Sequence, residues 1–177
     1  VHKALKTLII RLYNTPEVGF HCLKEGIKRL VKLRSLSITN TSLDNEGLQE
    51  THAGVIHLSE ALRMFSNLRR LDLSLQFDKN LSTDLIEYFG YVLQHLTSLN
   101  YLRLDFSHSN SLMDKGLRYV TLGIRGLKNL QTLHLNLSGA TSITNEGIKC
   151  IKNAIQRSAI KELTLHLSKL KLLTDES

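Results

Sequence analysis

The sequence predicts an α/β solenoid of about six repeats, with a parallel sheet on a concave face and helices on a convex face. Three observations predict it. The pattern Leu-x-x-Leu-x-Leu begins at Leu5 and Leu33, where Ile10 and Ile38 take the last place, at Leu68, Leu99 and Leu130 and, with Ile in first place, at Ile160, at intervals of 28, 35, 31, 31 and 30 residues. Behind each of the first five copies runs a second apolar series with the spacing of one helix stripe. Between the two stands a short polar stretch of helix-start character, as in "MDKGL" and "TNEGI". A unit of strand, loop and helix cannot bury its own leucines, so units stack and fill the space between sheet and helices.

The strands come first in each unit. In Leu-x-x-Leu-x-Leu-x the leucines point inward, and the third, fifth and seventh positions alternate outward onto the concave face. A shift of one residue would turn every leucine to solvent, so Leu102 and Leu133 are expected to be fully buried.

The helices follow. Their stripes are Phe20, Leu23, Ile27, Leu30; Val55, Leu58, Leu62, Phe65; Ile86, Phe89, Leu93, Leu96; Leu117, Val120, Ile124, Leu127; and Ile148, Ile151, Ile155. In "TNEGI" Asn145 is expected to cap the helix by accepting from first-turn amides, with Glu146 suited to the positive end of the dipole. Asp114 takes the same place in "MDKGL", and further copies stand around Asn45 in "DNEGL" and Asp175 in "TDES". Gly19, Gly116 and Gly147 precede the first stripe residue, and Gly47 precedes Leu48, one heptad before Val55; a small residue there lets the helix start lie close to its neighbour, and Leu85 shows that this is not obligatory. The interval of 35 is explained by a helix in repeat two that starts two turns early, carrying the extra stretch "QETHAGV", with residues 48 to 55 helical.

On these residues the chain resembles the leucine-rich repeat family, in particular its ribonuclease-inhibitor-like class, over nearly all of 5–177. The resemblance implies a horseshoe. It implies recognition of other proteins, the use to which inhibitors, ubiquitin-ligase substrate receptors, GTPase regulators and immune sensors of the class put it. The chain departs from the pattern at the ninth position from the first leucine, where the family carries Asn or Cys and this chain reads Thr41, Gln76, Ser107, Ser138 and Ser168. Those hydroxyls are expected to make similar turn bonds, over loops of less standard course. The chain enters on "LKTLIIRL" and leaves on "LTLHLSKLKLLTDES" with no polar capping unit, so residues 1–177 are expected to be a single domain within a longer protein.

Composition bounds the rest. With 42% hydrophobic and 22% charged residues the chain has the make-up of a soluble globular domain. No apolar run reaches eighteen residues, so no membrane span is expected. Two cysteines, Cys22 and Cys150, are too few for a disulfide scaffold and suit a reducing compartment, so an intracellular, cytoplasmic site is expected. They stand four strand steps apart, roughly 19 Å, too far to bridge. Each is expected to be a small, partly buried helix residue.

Function turns on the outward triplets: Thr7, Ile9, Arg11; Ser35, Ser37, Thr39; Arg70, Asp72, Ser74; Tyr101, Arg103, Asp105; Thr132, His134, Asn136; Glu162, Thr164, His166. Arg70, Asp72, Tyr101, Arg103 and Asp105 cluster on adjacent strands, and with His134 and Asn136 they form the candidate partner-binding set, since Tyr and Arg are enriched in interface hot spots. The plainer reading is a solvated face with pairs across strands, such as Asp72 with Arg103. The sequence contains no GxxxxGK[ST], GxSxG, HExxH or paired-cysteine motif. His134 and His166 on neighbouring strands read as surface histidines rather than metal ligands. No enzyme, cofactor or metal is therefore expected.

The expected function is a non-catalytic protein-protein interaction module. The alternative is the targeting or regulatory arm of a larger enzyme such as a kinase, ubiquitin ligase or GTPase activator. The net charge of +7 raises polyanion or nucleic-acid binding, carried by Lys24, Lys28, Arg29, Lys32 and Arg34 and by Lys149, Lys152, Arg157 and Lys161. Neither group alternates with stacking aromatics, so a solvated convex face is the ordinary explanation and nucleic acid the weakest reading.

Overall fold

Six strands alternate with five helices in a computed structural model that describes residues 4–13, 17–41, 51–75, 82–156 and 158–174. The order is β1 (Thr7–Tyr13), α1 (Glu17–Ile27), β2 (Ser35–Thr41), α2 (Thr51–Leu62), β3 (Arg70–Leu75), α3 (Thr83–Leu93), β4 (Tyr101–Asp105), α4 (Met113–Gly126), β5 (Thr132–Asn136), α5 (Asn145–Ile155) and β6 (Glu162–His166). The strands form one parallel sheet in sequence order, and each helix packs against the next. This is a solenoid-like α/β arrangement. The register reproduces the repeat intervals: Leu8, Leu36, Leu71, Leu102, Leu133 and Leu163 stand in one column, each opposite its counterpart one repeat on.

The core lies between sheet and helices. Leu71, Leu73, Leu102, Leu104, Leu133 and Leu135 are buried, as are the stripes of α3 and α4 together with Leu96 and Leu127 beyond their ends. The packing is looser at the last strand, where Leu163 is 42% exposed and Ile148 and Ile155 of α5 are half-buried. Between α3 and α4 the helix backbones meet: a Cβ on Gly90 would run into the carbonyl of Tyr119, and one on Gly123 into that of Gly90. Small residues here allow an approach that any side chain would block.

Turns are stitched from repeat to repeat. At the helix-to-strand turn Asn67 donates to the Val31 carbonyl at 3.5 Å, Ser98 to Ser66 at 2.7 Å and Asn129 to Thr97 at 2.8 Å. After the strands, His108, Gly139 and Lys169 occupy equivalent places with φ of 61, 74 and 60°. Glycine suits its place twice over, because a Cβ on Gly139 would sit 2.6 Å from Nδ1 of His108.

Several expectations change. The cap of α5 is Thr144, whose hydroxyl accepts from the Glu146 N–H at 3.2 Å, while Asn145 reaches out to Thr174. Asp114 caps nothing in its own helix: α4 is entered through Leu112 in helical conformation and Met113 at φ 44°. Its carboxylate is instead taken by Thr144 of the following repeat. At the ninth column the turn is held from the seventh, Asp105 accepting from Ser107 N–H and Asn136 from Ser138 N–H, both at 3.0 Å. Cys22 is exposed rather than partly buried, and both thiols are free. In repeat two, residues 51–55 are helical; residues 48–50, and the start signals around Asn45 and Asp175, lie outside the described residues. Among the described residues no helix is long and apolar enough to cross a membrane.

Candidate binding surface

The sheet face turned away from the helices carries three rows of side chains, fixed by the parallel register. Arg70, Tyr101, Thr132 and Glu162 share one row; Asp72, Arg103, His134 and Thr164 the next; Ser74, Asp105, Asn136 and His166 the third. All seven candidate residues lie on this face. The structure joins them in two cross-strand groups, Arg70, Tyr101 and His134 in one and Asp72, Arg103, Asp105 and Asn136 in the other.

In the first row the Arg70 guanidinium lies over the Tyr101 ring, 3.5 Å from its centroid, a close cation–π pair. The same ring meets His134 at 5.3 Å between centroids, tilted by 45°. Tyr101 is thereby held by neighbours on both adjoining strands. It is half-buried, not exposed.

The second row holds the expected pair of Asp72 and Arg103, at 3.8 Å, and Arg103 lies equally 3.8 Å from Asp105. These are long for charge-assisted hydrogen bonds, which run at about 2.7–2.9 Å. The side chains also differ in depth: Arg103 is 48% exposed, Asp72 21% and Asp105 14%. Asp105 was expected to be an exposed contact residue. It is instead a turn anchor, because Oδ1 accepts from Ser107 N–H and, at 3.1 Å, from Asn136 Nδ2. Asn136 is similarly engaged on both sides of its amide.

Tyr101, Arg103, His134, Asn136 and the exposed His166 line a depression of about 460 Å³ floored by Leu104 and Leu135. His166 is outside the expected set. Its outward seventh position was legible, but its place beside Arg103 and His134 depends on the register of β6. Among the described residues no group of three or more His, Cys, Asp or Glu side chains is placed to hold a metal ion.

The helix side has a second cavity of about 450 Å³, lined by Lys24, Lys28, Glu60, Arg63, Met64 and Tyr88. Here both lysines are already matched. Lys24 bonds Glu60 at 2.9 Å and Lys28 bonds Glu25, and these hydrogen bonds hold both carboxyls below the ordinary range. A hydrogen bond with Tyr88 raises Arg63 in the same way. In the second basic group Lys149 pairs with Glu146 at 2.7 Å. Burial pushes the Cys150 thiol up, away from nucleophilic character. In comparison with known proteins, neither a family model nor a curated protein matches the chain.

Proposed function

We propose that the chain is a leucine-rich repeat protein of horseshoe form and acts as a non-catalytic interaction module, binding a protein partner inside the cell through the concave sheet face. The observation that carries this reading is the cluster of Arg70, Tyr101, Arg103 and His134. An aromatic ring covered by a guanidinium and flanked by a tilted imidazole, on a six-stranded frame, presents a pre-ordered surface of hot-spot chemistry. Ordering a side chain before association removes part of the entropy cost of binding. The two free thiols support a reducing compartment.

The test is Tyr101→Ala with Arg103→Ala, after capture of a partner by the whole protein. Affinity should fall by about tenfold or more, a change of about 1.4 kcal/mol. The unfolding free energy should fall by only about 1–2 kcal/mol, since one cation–π contact, one ring contact and the two long ion contacts of the half-exposed Arg103 are lost. Undiminished binding would move the working surface to the helices.

A further inference from the structure

The depression on the open sheet face has a charge that its composition hides. Counting residues, the central cluster is balanced: Arg70 and Arg103 against Asp72 and Asp105. In three dimensions the balance fails, because the two carboxylates are recessed and the Arg103 guanidinium stands out from them. Asp105 is further occupied by Ser107 N–H and Asn136 Nδ2. Arg103 contacts both acids only at 3.8 Å, so its donors retain capacity for a closer acceptor. The rest of the lining adds two imidazoles and an amide, and no carboxylate. Glu162, the acid on the neighbouring strand, lies in the first row, where it accepts from Thr132 at 3.1 Å.

We infer that this depression receives a carboxylate side chain from an acidic segment of a protein partner, with Arg103 as the charged anchor and His134 and His166 as flanking donors. The inference rests on the proposal that the sheet face is the binding surface, and it adds the chemistry of the occupant. A guanidinium fork matches a carboxylate in two parallel hydrogen bonds. Imidazole N–H groups supply further donors. The methylenes of a Glu side chain fit against the Tyr101 ring and the Leu104 and Leu135 floor, with which the depression is already lined. In the helix-side cavity Lys24 and Lys28 each hold a carboxylate of the chain itself, Arg63 bonds Tyr88, and Glu60 brings an acid into the lining that the sheet-face depression lacks. A net charge of +7 over the whole molecule steers an acidic segment toward the protein.

The test uses the 177-residue chain and three probes: a short Glu/Gly peptide, its Gln/Gly counterpart and a short single-stranded RNA. Backbone amide NMR reports where each binds. The Glu/Gly peptide should shift β4, β5 and β6 around Tyr101, Arg103, His134 and His166, bind at least about tenfold more tightly than the Gln/Gly peptide, and weaken as salt screens the contact. Arg103→Gln should remove that preference. Arg118→Gln, the same loss of charge on an exposed residue of α4, should leave it within about twofold. His166→Gln, at an exposed site, reports on the depression should Arg103→Gln fail to fold, and should weaken the Glu/Gly peptide alone. Equal binding of the two peptides at these strands would overturn the acidic chemistry and leave the sheet-face reading standing. Shifts confined to α1–α3 would overturn both. RNA displacing the acidic peptide from the depression would replace a protein partner with a nucleic acid.

Discussion

The carboxylate of Asp114 accepts two hydrogen bonds from Thr144, from its backbone N–H at 2.9 Å and from its hydroxyl at 2.6 Å. Thr144 in turn caps α5 by accepting from Glu146. One acid near the start of α4 therefore positions the start of the next helix, and the two repeats are coupled by more than apolar contact. Asp114→Ala should cost about 1–3 kcal/mol, because it strands a partly buried donor pair. Asp114→Asn should lose less. Chemical denaturation of both, with a double-mutant cycle against Thr144→Val, checks the coupling through the hydroxyl; an additive cycle would mean that this bond carries nothing.

Leu102→Ala should destabilise by about 2–5 kcal/mol, since the side chain is fully buried between Leu71 and Leu133 in its column. Arg103→Ala, one residue on, should cost less than about 1 kcal/mol. A contrast of this size between adjacent residues in one strand is the signature of the proposed inward and outward alternation. Equal effects on the denaturation midpoint would contradict it.

Two glycines in helices should answer oppositely to alanine. At Gly90 a Cβ strikes the Tyr119 carbonyl, so Gly90→Ala should cost about 1–3 kcal/mol despite the better helix propensity of alanine. At Gly26, in the last turn of α1, a Cβ would meet nothing within 4 Å, so Gly26→Ala should stabilise by up to about 1 kcal/mol. Thermal unfolding of the pair separates helix–helix contact from local propensity.

The Lys24–Glu60 bond links α1 and α2 and should be visible in acid. Its hydrogen bond holds the Glu60 carboxyl below the ordinary value of 4.5. A carboxyl depressed in the folded state stabilises above its unfolded value, and that contribution is lost as pH falls through the folded one. The loss should therefore occur below pH 4.5. With the Glu60 side chain 43% exposed, it should amount to well under about 1 kcal/mol. Lys24→Met should abolish this part of the acid slope and return the Glu60 midpoint, followed by carbon NMR, toward the ordinary range. An unmoved midpoint would leave the pair without electrostatic weight.

What the sequence determined by itself is the repeat: the alternation of strand and helix, the parallel order and the inward leucines of the central strands. These follow from the period, because apolar residues at spacings of two and of three to four are buried together when strand and helix units stack side by side. Tertiary structure decided the polar contacts. Asn145 and Asp114 look alike within their own stretches, yet Asp114 bonds Thr144 and Asn145 bonds Thr174. Asp105 reads as an outward contact residue but serves the turn at Ser107, and His166 joins Tyr101 and Arg103 only through the pairing of β6 with β5. The physical reason is the strand spacing of about 4.8 Å, which brings donors from the next repeat as near as those of the same loop. A side chain then chooses between local and neighbouring partners by fine geometry, which no linear spacing records.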